Sequence, residues 1–451
     1  MASRALLAFF LLLSFSALVA VAAEPTRPTM DRFMGLCGHY HFDGPTYAPL
    51  ARHVRNYHSL NWDLDVTKPY RSPPYPFALN RVNWRHVYGG WRGAGFDVIA
   101  SVMIGTFEPE QWVAPEEAAY RFGKDYAAFF GPSGEGLLQA AELGNEPGAY
   151  DDELYTRLAR AMARGMREGD PDLKVATCNV STGESGDYAK SLSCFEGWLD
   201  LIDVITVHNY AIKNEWPNRR RTYPEDPECD FIESVRKVLE WRDRNAPGKP
   251  VWVTEFGWDS HQADGAPLQE GVPIHKRPSV ISRPRQAQFL LRAYLIFARL
   301  GADRAYMYWY MDGGAEKGLH NGAGLITSPQ NKPAEGKKQP AYYALAALRR
   351  NLGDYRFHSV VSEDSDGAWA YLFRAPGPDR AALVYWSPTM DGEPRTLEVD
   401  LAAVAPGDHA VDRLVEPALC AEGDRELPTP EASGSVELEA RGTPRFLFLT
   451  R

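Results

Sequence analysis

The sequence predicts an α/β protein, a (β/α)8 barrel of the TIM type followed by a smaller C-terminal antiparallel β-sandwich. Three observations predict it. Eight short apolar runs recur along the first three-quarters of the chain, amphipathic helical patterns fill many of the gaps between them, and the texture changes near residue 353. The length of 451 residues fits one barrel, which takes roughly 250 residues or more, plus one smaller module.

The apolar runs are residues 33–37, 59–64, 96–104, 140–144, 174–180, 203–210, 251–257 and 305–311. Several are rich in Val and Ile, as parallel strands covered on both faces should be. Helical periodicity is clearest over 152–168 and 286–300, and similar over 229–245 and 341–352. Strands alternating with helices imply a parallel sheet, and eight such units imply its closure into a barrel. An open doubly wound sheet would normally carry a Gly-rich phosphate loop after its first strand, and the sequence has none. Beyond residue 353, short alternating runs at 369–373, 381–386, 395–401 and 445–449 stand between Pro and Gly turns, the pattern of a sandwich. The long segments 211–227, 259–284 and 315–339 read as loops on the C-terminal face of the barrel, where substrates are shaped.

Composition excludes several classes of function. With 44% hydrophobic and 24% charged residues, the chain is neither disordered nor a multi-span membrane protein. A net charge of −10, from 49 basic and 59 acidic residues, argues against a nucleic-acid partner. The 12 Trp and 22 Tyr supply flat faces suited to sugar rings. The run Arg219-Arg220-Arg221 reads as a solvated charged surface in preference to a receptor for acidic sugars.

The N-terminus has Arg4, an apolar run over 5–21 and the small residues Ala22 and Ala23, the pattern of a cleaved export leader. The expected layout is therefore a leader over 1–23, a barrel over 24–352 and a sandwich over 353–451, in a secreted or periplasmic protein with no membrane span after cleavage. Export permits disulfides, and among the five cysteines Cys178 and Cys194, which bracket a short loop, form the candidate pair. No Cys/His cluster has zinc-ligand spacing, so neither a metal nor a cofactor is expected. Asn179-Val180-Ser181 matches a glycosylation sequon.

Two glutamates carry the chemistry. Leu143-Gly144-Asn145-Glu146-Pro147 closes the fourth predicted strand and Val253-Thr254-Glu255-Phe256-Gly257 the seventh. Each sets a carboxylate at a C-terminal strand end, on different sides of the barrel mouth. Two opposed carboxylates are the minimum equipment for cleaving an acetal: one protonates the leaving oxygen while the other attacks the sugar carbon. Val207-His208-Asn209-Tyr210 ends the sixth strand, with His208 and Tyr210 on one face, and Tyr308-Trp309-Tyr310 ends the eighth.

In these residues the sequence resembles the retaining glycoside hydrolases with a (β/α)8 barrel, the large clan that includes cellulases, mannanases, β-xylosidases and β-galactosidases. The resemblance covers the barrel. It implies Glu146 as acid/base and Glu255 as nucleophile. It implies Asn145 on the sugar 2-hydroxyl, Tyr210 hydrogen-bonded to the nucleophile with His208 beside it, and Trp309 as the platform beneath the sugar. His39 after the first strand and Trp258 after the nucleophile are further candidate sugar contacts; Trp62, Asp63, Trp112 and Trp216 are weaker ones. The clan often has an Arg near the end of strand two that touches the nucleophile, and the run Leu60-Asn61-Trp62-Asp63-Leu64-Asp65 contains none. Clan members with an appended sandwich often join a strand from before the barrel to it, which points to residues 24–29. The activity implied is hydrolysis of β-linked glycosides in an oligo- or polysaccharide. A catalytically inactive sugar-binding barrel, or a transglycosylase using the same residues, are the alternatives.

Overall fold

The computed structural model describes residues 27–451 apart from 216–217, 261–280, 314–320, 328–331, 378, 405–409 and 431–434, so the expected leader and Trp216 lie outside the described residues. Eight strands, β1 (Met34–Gly38), β2 (His53–Ser59), β3 (Asp97–Met103), β4 (Ala140–Glu142), β5 (Lys174–Ser181), β6 (Val204–His208), β7 (Val251–Phe256) and β8 (Arg304–Met307), pair in sequence order, and β8 pairs back to β1. Every pairing is parallel, so the sheet is a closed barrel. Helices α1 (Trp84–Gly93), α2 (Pro115–Phe130), α3 (Asp152–Gly169), α4 (Phe231–Asn245), α5 (Arg283–Leu300) and α6 (Pro340–Leu352) follow β2, β3, β4, β6, β7 and β8.

Seven of the eight apolar runs share a stretch of residues with a barrel strand. The second shares only Ser59 with its strand: residues 60–62 form a 3-10 turn, and the rest of β2 lies before it. The reason is chemical. Beyond Val54, the outward-facing residues of β2, Asn56 and His58, are polar because they bond to the helical layer. Asn56 donates to the Tyr88 hydroxyl of α1 at 2.6 Å, and the His58 ring pairs with the same hydroxyl at 2.8 Å and with Asp63 at 2.6 Å. The inward-facing Arg55 and Tyr57 belong to the site described below. A largely buried strand can thus show little apolar signal when both faces have polar partners.

Local signals place the helices. Asp151 caps α3 by accepting from the Leu154 amide, and Ser282 caps α5 from the Arg285 amide. Helix α5 ends at Gly301, which takes φ 103°, a left-handed conformation that favours glycine. Its residues from Gln286 to Ala298 are buried with few exceptions, on all sides of the helix, because it lies between the barrel and the C-terminal module.

That module has strands β9 (Arg356–Glu363), β10 (Trp369–Arg374), β11 (Arg380–Trp386), β12 (Arg395–Asp400), β13 (Ala410–Glu416), β14 (Arg425–Leu427), β15 (Ser435–Ala440) and β16 (Arg445–Thr450). Six form an antiparallel sheet in the order β9-β10-β11-β16-β13-β14, and β12 pairs with β15 as a second sheet. Leu372, Leu383 and Leu447 of the large sheet pack with Leu397, Val399, Val436 and Leu438 of the small one, making the sandwich core. The alternate residues Tyr371, Phe373, Val384, Trp386, Phe446 and Phe448 face the other way and join the barrel's core. The large sheet is therefore covered on both faces. Of the segment 24–29 expected here, the Arg27 guanidinium stands 6.0 Å over the Phe357 ring of β9.

Two cysteine and sequon readings are corrected. Cys178 and Cys194 are both buried and free: the Cys178 thiol donates to the Asn179 carbonyl, and the Cys194 thiol lies 3.9 Å from the Ser185 hydroxyl. Asn179 is 1% exposed, its Nδ2 donating to the Tyr188 carbonyl and its Oδ1 accepting from the His208 amide, so no amide is open to a glycan.

Candidate active site

The loop after β4 turns at once. Gly144 takes φ 111°, where a side chain would be strained, and its carbonyl accepts from the Ser101 hydroxyl of β3. Asn145 is fixed next, its carbonyl accepting from the Asn179 amide of β5. Glu146 follows, with its side chain 30% exposed at the mouth of the barrel. On the other side, Glu255 stands on β7, and at Gly257 a Cβ would meet the Tyr308 carbonyl at 2.2 Å, so only glycine lets β7 and β8 approach this closely.

The structure brings Glu146, Glu255 and His208 together, with one polar atom of each within 4.8 Å of the others. The His208 Nδ1 sits between the carboxylates, 2.8 Å from Glu146 Oε1 and 3.6 Å from Glu255 Oε2. The two glutamates differ in setting. Glu255 is buried, and three donors hold it: Arg55 Nη1 at 2.9 Å and the Tyr57 hydroxyl at 2.6 Å on Oε1, and the Tyr210 hydroxyl at 2.8 Å on Oε2. Burial pushes the Glu255 carboxyl up, but the neighbouring His208 ring, the Arg55 guanidinium and the two phenols outweigh it and hold it below its ordinary value. Burial, with the Glu255 charge among the next causes, pushes Tyr57 and Tyr210 well above the ordinary phenol value, so both stay donors.

Arg55 is the hub. It is fully buried, and it grips Glu142 of β4 through Nε at 2.8 Å and Nη2 at 2.7 Å. Nη2 also donates to Asn145 Oδ1 at 2.9 Å. With its oxygen engaged, the Asn145 amide presents its NH2 end as a donor for a ligand. The strand-two arginine missing from 60–65 is thus present five residues earlier, in the real β2. Arg55 and Tyr57 lie outside the apolar runs, and Glu142 is an inward carboxylate within the fourth run that no motif marks as part of the site. The alternation of Arg55 and Tyr57, two apart on one strand face, was the available signal.

Trp309 lies at the end of β8, half-buried, edge-on to Tyr57 with ring centroids 5.5 Å apart. Tyr188, 42% exposed, meets His208 edge-on at 6.1 Å and lines the same mouth. One expected sugar contact stands elsewhere. Trp258 is fully buried: its Nε1 donates to the Thr222 carbonyl at 2.7 Å and its ring packs on Phe231 and Phe289, so it braces the wall of the site from behind. His39 packs edge-on to Tyr40 and Trp62 at the end of β1, and burial lowers its ring to about 4. Trp112 is buried on Tyr150, and Asp63 is buried under Trp84, His58 and Tyr75. Arg221 is not solvated; its side chain is 8% exposed and pairs with Asp259.

Glu146, His208 and Glu255 are also the one group of His and acidic side chains, among the described residues, spaced to hold a metal ion. The donor set fits a cation poorly, because both oxygens of Glu255 already accept hydrogen bonds and one bond comes from a guanidinium.

No protein-family model matches this sequence, and the search of curated proteins found no match either. Solved structures do match. The barrel-and-sandwich fold is that of known glycoside hydrolases. A glucosidase from Croceicoccus marinus is 15% identical with a TM-score of 0.58, over 95% of this chain and 97% of that one. A family 51 α-L-arabinofuranosidase from Bifidobacterium longum is 13% identical with a TM-score of 0.56, over 94% and 97%. A GH39 enzyme from Xanthomonas axonopodis pv. citri is 16% identical with a TM-score of 0.55, over 94% and 95%.

Proposed function

We propose that this protein is a retaining glycoside hydrolase that cleaves β-linked O-glycosidic bonds of an oligo- or polysaccharide by double displacement. One observation carries the reading: carboxylate oxygens of Glu146 and Glu255 come within 4.8 Å of each other at the barrel mouth. Retention calls for carboxyl groups about 5–5.5 Å apart, whereas inversion needs roughly 6.5–9.5 Å to admit a water.

Glu255, kept ionised by Arg55 and two phenols, attacks the anomeric carbon. Glu146 gives a proton to the departing oxygen. Water then cleaves the glycosyl ester on Glu255, with Glu146 taking the water's proton as base. The Asn145 NH2 faces the sugar beside the reacting carbon, and Trp309 supplies a flat apolar face beneath it. The leader pattern over 1–23 supports export, to a secreted or periplasmic site where such polymers are met.

The test uses aryl glycosides. Glu255→Ala abolishes turnover. Glu146→Ala retains activity on substrates with good leaving groups, and added azide accelerates it and yields a glycosyl azide of retained configuration. An inverted product from the wild-type protein would overturn the mechanism.

A further inference from the structure

Arg221 ends the antiparallel strand pair Ile212–Glu215 and Asn218–Arg221 that follows β6, and Asp259 follows β7. Arg221 Nη2 donates to Asp259 Oδ2 at 3.2 Å, with the side chains 8% and 1% exposed. The guanidinium carbon stands 4.8 Å over the ring of Tyr210, whose hydroxyl holds the nucleophile. Besides burial and Glu255, Arg221 acts on the Tyr210 hydroxyl, while Asp259 and Glu146 act together on that of Tyr308. Through the Tyr210 ring the pair adjoins the nucleophile's side of the site.

The pair is incomplete. Arg221 Nη1 and Asp259 Oδ1 are both buried with no hydrogen-bond partner. Leaving a buried donor and acceptor unmet is costly, and such groups in native proteins call for an explanation. What remains open is one donor and one acceptor on adjoining residues. A sugar hydroxyl accepts and donates through a single oxygen, so it can meet both. A carboxylate can only accept. It would leave Asp259 Oδ1 unmet and add a negative charge near Asp259, Glu146 and Glu255. Resting on the hydrolase reading, we propose that Arg221 and Asp259 read one hydroxyl of a neutral sugar held at the site, and so select neutral over acidic glycones.

The experiment assays the full-length protein, Asp259→Asn and Arg221→Lys on 4-nitrophenyl glycosides of glucose, galactose, xylose, arabinofuranose and glucuronic acid. Monodeoxy versions of the best neutral substrate follow, with thermal melts to check that each variant is folded. A neutral glycoside should be preferred, and either variant should lose about ten- to a hundredfold in kcat/KM on it. On the one deoxy sugar that lacks the hydroxyl in question, the variants should lose nothing further, because substrate and protein changes remove the same interaction. Arg221→Lys keeps the charge while removing the fork, so it still reports if Asp259→Asn fails to fold. Preference for the glucuronide overturns the proposal. So do losses that multiply on every deoxy sugar, as a bridging internal water would give. If the wild-type protein cleaves none of the glycosides, the hydrolase reading falls and takes this one with it; cleavage with multiplying losses defeats this one alone.

Discussion

Glu255 is a buried carboxylate whose neighbours favour its charged form. In the unfolded chain it titrates near the ordinary glutamate value of about 4.3; folded, it titrates lower. Its contribution to stability is therefore fully present above that unfolded value and is lost as pH falls through the folded value. Activity has the same sign, since the nucleophile must be ionised. The acid limb of kcat/KM should thus lie below about pH 4.3. Tyr57→Phe removes one of three donors, and a pH–rate series should show the acid limb moved upward with kcat/KM down by about tenfold. Glu146, Glu255, His208 and Tyr210 were legible in the sequence because each stands at or just past the end of an apolar run. Tyr57 and Glu142 were not. Their roles depend on partners about 200 and 90 residues away, across the barrel.

At the scale of the element, β2 shows where reading by hydropathy stops. Seven strands announce themselves because helices cover them with apolar side chains. β2 is largely buried too, but its burial is met mainly by ion pairs and hydrogen bonds, which leave little apolar pattern. This strand is also the one that ties the two sides of the site together, since Arg55 touches both Glu142 on β4 and Glu255 on β7. Arg55→Met leaves Glu142 buried without a counter-charge and should cost about 3–5 kcal/mol in denaturant unfolding. Arg55→Met combined with Glu142→Leu should regain most of that stability and none of the activity, separating the strut's structural role from its hold on the nucleophile. The α5 boundaries were well placed by periodicity, whereas its burial on every side was foreseeable only once the sandwich was docked.

At the scale of the whole molecule, the sandwich reaches toward the active site through one buried carboxylate. Glu225 lies in the same loop as Arg221. Its Oε1 accepts from Arg292 of α5 at 2.8 Å and from the Trp386 indole of β11 at 2.6 Å, while Arg292 Nη1 donates to the Thr389 carbonyl at 3.0 Å. Trp386→Phe deletes one charge-assisted bond and should cost about 1.5–3 kcal/mol. It should also lower kcat, because the loop it anchors carries Arg221 against Tyr210. Glu363→Gln, at the Arg299–Glu363 contact of the same two modules, should lower the melting temperature with kcat unchanged. Finding equal effects on kcat from both variants would show that the loop does not depend on this anchor. Both modules were legible from texture alone, but the bond between them joins residues 161 positions apart and no local pattern encodes it.

The large sheet, clothed on one side by its own small partner and on the other by the barrel, sets a limit on recombination. A foreign sandwich spliced on after residue 352 would have to bring aromatic rings at the places of Tyr371, Phe373 and Phe448, an indole for Glu225 and a carbonyl for Arg292. The sandwich is therefore less a detachable accessory than a second wall that the barrel's sequence already takes for granted.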